Sequence, residues 1–116
     1  MTRLSAAQCG HAIAKGDFGP EVIASAPRVA VVLTQSWCPQ WVMMRMWLDR
    51  AEKDADATVF LVEYDKEDYF EDFMAFKEDM LGNRSVPYIR YYRDGVFTGD
   101  GNFIGKDGFV AKLTRL

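Results

Sequence analysis

Cys38, in the segment Trp37-Cys38-Pro39-Gln40-Trp41, is the residue of this chain best placed for covalent chemistry. The apolar run Val29-Ala30-Val31-Val32-Leu33 ends shortly before it and an amphipathic segment begins directly after it, which places the thiol at a strand-to-helix turn. Unpaired N–H groups at a helix start favour negative charge, and the thiolate is the attacking form of cysteine. Nucleophilic attack on a sulfur electrophile is therefore the predicted chemistry. Two nearby indoles, Trp37 and Trp41, work in the opposite direction, because desolvation disfavours a thiolate. Trp41 stands three positions on from Cys38, so the thiol can attack and be capped without being able to close a disulfide of its own.

Other reactive side chains carry a weaker signal. Cys9 lies two residues before His11, but two ligands make no zinc site, and a free cysteine is most often buried. Met43, Met44 and Met46 read as core filling and helix stabilisation, with any exposed fraction suited to a pliable interface. The acidic run Glu63-Tyr64-Asp65-Lys66-Glu67-Asp68, continued by Glu71, Asp72, Glu78 and Asp79, lacks a spaced ligand loop and reads as a solvated strand end and helix face. Arg84, Arg90 and Arg93 gather near Pro87 and the following turn; Arg84 reads as a partner for a substrate carboxylate or as an ordinary surface charge. No metal site and no cofactor are expected.

The elements that must position Cys38 follow from periodicity. Ser5 to Lys15 reads as a helix stopped by Gly16, and Pro20 to Ser25 as a short second helix. Val29 to Leu33 is a continuous apolar strand of the kind buried on both faces. Pro39 to Asp54 is the longest helix, with Trp41, Met44, Trp47, Leu48 and Ala51 on one stripe. Thr58 to Tyr64 is the next strand, and a βαβ unit is the natural connection. Tyr69 to Leu81 is an acidic amphipathic helix, its apolar positions including Phe70, Phe73, Phe76, the stem of Lys77 and Met80. Tyr88 to Tyr92 and Val96 to Thr98 form a hairpin around Asp94-Gly95, Gly99 to Gly101 is a loop, and Lys106 to Leu113 is a closing helix.

With 116 residues the chain is expected to form one domain, 1–116, and 49% hydrophobic residues supply a packed core. A formal charge of −3 without a basic tail or stripe argues against nucleic acid and anionic membrane as partners. No apolar run approaches the roughly 18 residues needed to cross a bilayer, and the start of the chain lacks the pattern of a signal peptide. A cytoplasmic protein is the expectation, in a compartment that would keep both cysteines as thiols.

This order of elements, with a cysteine opening the first βαβ helix, resembles the thioredoxin superfamily. Three motifs carry the resemblance. Ser36-Trp37-Cys38-Pro39-Gln40-Trp41 is similar to the family's Trp-Cys-x-x-Cys with the last cysteine replaced. Ser85-Val86-Pro87-Tyr88 resembles the loop whose cis proline packs opposite the active cysteine, and Val86 follows Cys38 by 48 residues. Tyr88 to Gly95 is similar to the strand and tight turn after that proline. Trp37 looks like thioredoxin, whereas Cys38-Pro39 and the Ser-Val-Pro loop look like glutaredoxin. The family's buried acidic residue would fall near Val32 and its helix-kinking proline near Met46, so that proton-handling group is absent and a straighter helix is expected. Glutaredoxin's paired glycines have a partial echo in Ile104-Gly105-Lys106-Asp107.

The resemblance implies an α/β fold with a mixed sheet of four to five strands flanked by helices. It implies Cys38 as nucleophile and Val86 and Pro87 as a loop offering backbone N–H and C=O groups to an extended chain. Trp37, Pro39, Trp41, Pro87 and Tyr88 would form an apolar rim for substrate. The partners would be protein thiols or disulfides, with glutathione as the small thiol that completes a monothiol cycle. The alternative is a thioredoxin-like binding or assembly module in which chemistry has been lost. The sequence leaves the oligomeric state open.

Overall fold

The computed structural model describes residues 1–115. Its elements are β1 (Thr2–Arg3), α1 (Ala6–Lys15), α2 (Pro20–Ile23), β2 (Arg28–Thr34), α3 (Pro39–Arg45), α4 (Leu48–Asp54), β3 (Thr58–Glu63), α5 (Phe70–Ala75), β4 (Tyr88–Arg93), β5 (Val96–Gly101) and α6 (Lys106–Thr114). A 3-10 turn at Tyr64–Lys66 follows β3, and α5 passes directly into a π-helical turn at Phe76–Met80.

The five strands form one mixed sheet in the order β1-β3-β2-β4-β5. β1 and β2 run parallel to β3, and the remaining two pairings are antiparallel. Because side chains alternate along a strand, β2 sends Val29, Val31 and Leu33 into a core with Cys9, Phe18, Val22, Phe73 and Phe76, beneath α1, α2 and α5. Ala30 and Val32 face the opposite core with Trp41, Met44, Leu48, Phe109 and Leu113, beneath α3, α4 and α6. Burial on both faces explains the unbroken apolar run of β2. The hairpin turns as Asp94-Gly95 predicts: both residues have positive φ, 52° and 79°, matching the twist of the flanking strands.

The structure differs from the sequence-based expectations at four places. The helix expected over Pro39 to Asp54 is two helices. The N–H groups of Met46 and Trp47 reach back three residues, to the carbonyls of Met43 and Met44, and Trp47 at φ −123°, ψ −4° caps α4. This tightened turn needs no proline. It keeps Trp41, Met44, Leu48 and Ala51 fully buried while Trp47 lies against Phe109 of α6, ring centroids 5.7 Å apart. Secondly, β1 exists, although two exposed polar residues offer no apolar pattern; its backbone pairs Thr2 with Phe60 and Arg3 with Leu61. Thirdly, β5 continues through Gly99 to Gly101, past a bulge at Tyr91/Tyr92. Finally, α2 is shorter than expected, ending at Ile23.

Candidate functional site

Cys38 is the N-cap of α3, with extended φ and ψ of −68° and 119°, and Pro39 occupies the first turn. Its N–H donates to the Gln35 carbonyl at 3.2 Å, and its carbonyl accepts the Val42 N–H at 3.0 Å. The turn before it is fastened to the end of β3. Asp65 accepts both the Ser36 N–H at 2.8 Å and the Ser36 hydroxyl at 2.6 Å. Gln35 donates to the Tyr64 hydroxyl at 3.3 Å and accepts the Trp37 indole N–H at 2.6 Å. The helix cannot begin elsewhere without breaking this set.

Facing Cys38 is the segment leading into β4, where the Val86–Pro87 peptide is cis. The Cys38 thiol donates to the Val86 carbonyl at 3.5 Å. Among the described residues the Val86 N–H has no hydrogen-bond partner. Cys38 is buried in this structure, with only 4% of the residue exposed.

Not all of the expected rim lies on the surface. Trp37 is 63% exposed, Pro39 is exposed and Val86 is half-buried, whereas Pro87 is buried beneath them. Trp41 and Tyr88 are fully buried and belong under the site. The Trp41 indole N–H donates to Glu63 Oε2 at 2.7 Å, and Arg3 pairs with Glu63 Oε1 at 2.6 Å. The Tyr88 hydroxyl donates to Asp100 at 2.7 Å and accepts from Arg90 at 2.9 Å. Burial, reinforced by Asp100 and opposed by Arg90, pushes the Tyr88 hydroxyl up to about 12. The exposed apolar surface instead continues outward along α3 through Val42, Met43 and Met46, the last 80% exposed.

Glu63, expected at a solvated strand end, is instead buried. Burial alone would raise its pKa, but the Trp41 N–H and the Arg3 guanidinium outweigh that and hold it below its ordinary value. The carboxylate at the end of β3 thus lies buried beneath the helix start, held by the Trp41 indole and Arg3.

The remaining candidates lie elsewhere. Cys9 is fully buried in the α1 core, and its burial raises the thiol pKa. Arg84 pairs with Glu78 at 3.3 Å and Asp79 at 3.2 Å; Arg90 is buried among tyrosines; Arg93 donates to the Leu113 carbonyl at 2.9 Å. Among the described residues no cluster of three or more ligating side chains is suited to a metal, and no helix is long and apolar enough to cross a membrane.

No protein-family profile and no curated protein sequence matches the chain. Solved structures do. Oxidised thioredoxin O1 from Arabidopsis thaliana superposes with a TM-score of 0.70 at 14% identity, covering 99% of this chain and 96% of that one. A mutant thioredoxin from Halobacterium salinarum gives a TM-score of 0.63 at 18% identity over 83% and 82% of the two chains. A mutated buckwheat glutaredoxin gives 0.57 at 19% identity over 97% and 92%. The fold is thioredoxin-like.

Proposed function

We propose that the protein performs monothiol thiol–disulfide exchange at Cys38. The observation that carries this reading is the placement of a lone thiol at a helix start, against the Val86 carbonyl, with fully buried Trp41 where a resolving thiol would stand. The Cys38 thiolate attacks one sulfur of a disulfide, forming a mixed disulfide and expelling the other sulfur as a thiolate that takes up a proton. An external thiol, from glutathione or a protein, then attacks the mixed disulfide and returns Cys38 as thiolate. The protein undergoes no net redox change, and no second cysteine is required. Trp37, Pro39 and Val86 form the contact surface, with Pro87, Trp41 and Tyr88 supporting it from below. A reducing compartment such as the cytoplasm suits this cycle.

A binding module is the second reading, favoured by the exposed stripe of Trp37, Val42, Met43 and Met46. Turnover of a glutathionylated peptide with glutathione as reductant separates the two. Cys38→Ser is expected to abolish turnover and Cys9→Ser to preserve it. Turnover by Cys38→Ser equal to wild type would overturn the exchange reading. Absence of turnover in wild type, with Cys38→Ser still retaining a protein partner, would favour the module.

A further inference from the structure

The segment Asn83–Pro87, which faces Cys38, is held by side chains from three directions. From the π turn, Lys77 Nζ donates to the Asn83 carbonyl at 2.7 Å. From the end of β5, Asn102 Nδ2 donates to the Ser85 carbonyl at 3.3 Å and to the Pro87 carbonyl at 3.0 Å. The Asn83 and Asn102 amides are reciprocally paired, at 3.1 and 3.0 Å, and Asn83 Oδ1 also accepts the Ser85 N–H at 3.0 Å. From α3, the Cys38 thiol reaches the Val86 carbonyl. The carbonyls on both sides of Val86 are thus committed, while the Val86 N–H stays free.

Lys77 is an expensive way to hold one carbonyl. It is fully buried, with its ammonium 5.7 Å from the centroid of the Tyr88 ring, and burial lowers its pKa to about 8. A methionine would fill the same volume without that desolvation cost. Asn102 likewise makes four side-chain contacts to a single segment, although it lies 15 residues beyond Pro87. Both residues act on the backbone that presents Val86, Lys77 at its Asn83 end and Asn102 along its length from Asn83 to Pro87.

We propose that Asn102 and Lys77 are positioning residues that fix the register of the Val86 N–H, so that Cys38 reacts with extended peptide disulfides in preference to compact ones. This rests on the exchange reading of Cys38. A peptide that adds as a strand gains a backbone hydrogen bond at Val86 only if the N–H is already aimed; a small disulfide has no such bond to gain.

The test uses the full chain in a Cys9→Ser background, so that one thiol reports. Rates of mixed-disulfide formation are measured with two probes: the disulfide dimer of a blocked Ala-Cys-Ala peptide and 2-hydroxyethyl disulfide. The unaltered clamp is expected to favour the peptide. Asn102→Ala and Lys77→Met are each expected to lower the peptide-to-small ratio about fivefold, the loss of roughly one well-aimed hydrogen bond. General loosening of the fold would move both rates together and leave the ratio unchanged, which would overturn the clamp, as would a ratio near unity in the parent. Failure of the parent to react with either probe would instead remove the exchange reading itself. Lys77→Met replaces a buried charge by an apolar side chain of similar length, so it carries the test should Asn102→Ala not fold.

Discussion

Trp41 and Glu63 form one unit at the residue scale, because the indole N–H and Arg3 are what allow a carboxylate to stay charged below the helix start. Trp41→Phe keeps most of the apolar volume and removes one donor from that carboxylate. A loss of about 1–3 kcal/mol is expected in urea unfolding at pH 7. The sign with pH follows from the lowered folded pKa. Glu63 contributes stability above its ordinary value of 4.5, and that contribution is lost as pH falls through the lower folded value. The difference between wild type and Trp41→Phe should therefore narrow below pH 4.5; a difference independent of pH would show that Glu63 is not the group involved. Lys77 has the opposite character. Its folded pKa of about 8 lies below the ordinary 10.5, so between those values the unfolded chain binds the proton that the folded chain has released, and stability rises with pH. Lys77→Met should be more stable than wild type at pH 7 by roughly 1–2 kcal/mol, and its advantage should shrink between pH 8 and 10.5. Neither role was legible in the sequence. Lys77 was readable only as an apolar stem on a helix face, and Glu63 and Asp65 only as members of a solvated acidic run, because side-chain partners distant along the chain leave no periodic trace.

At the scale of elements, what could be read was what has a period or a mandatory turn. β2 and β3 are apolar runs, β4 is rich in tyrosine and leads into the tight turn that Asp94-Gly95 demands, and α1 has a glycine stop. The joint between α3 and α4 has neither glycine nor proline, so nothing local announced it; at the joint Trp47 lies against Phe109 of α6. β1 has only two residues, both polar, and is held by backbone bonds that β3 offers. A second contribution that local pattern cannot reveal is the tie from β4 to the loop after α1. Arg90 donates to Tyr88 and Tyr92 at 2.9 Å each and to Asp17 at 3.3 Å, while the Tyr92 hydroxyl donates to Asp17 at 2.8 Å. Its guanidinium also lies 4.2 Å from the Phe97 ring centroid, which joins β5 to the same group. Arg90→Leu removes a donor shared by two buried hydroxyls and a carboxylate, each of which keeps another partner, so a loss of about 2–3 kcal/mol is expected in denaturant unfolding. Asp17→Asn should cost about 1 kcal/mol, since that side chain is partly solvated and the amide still bonds. Equal losses for the two would mean that the arginine contributes nothing beyond this one pair.

For the molecule as a whole, the sheet decides what its two thiols can do together. Cys9 lies in the core under α1, α2 and α5, whereas Cys38 lies in the core under α3, α4 and α6, with β2 and its neighbours between them. Disulfide geometry requires Cα atoms within about 7 Å, a separation that opposite sides of a side-chain-bearing sheet do not allow. The two thiols also differ in surroundings: Cys9 is sealed and its pKa raised by burial, while Cys38 lies at a helix start, 4% exposed, next to an exposed indole. Cys38 consequently has no thiol of its own chain to pair with, and the proposed exchange draws its second thiol from outside. Oxidation by diamide in the presence of glutathione tests this at the level of the folded protein. Mass spectrometry of the intact chain is expected to show one glutathione adduct on wild type and on Cys9→Ser, and none on Cys38→Ser. An internal Cys9–Cys38 disulfide in the native protein would contradict the placement of the two thiols on opposite faces. Two adducts on the folded wild type would show that the α1 core opens on the timescale of the reaction, and that burial does not protect Cys9.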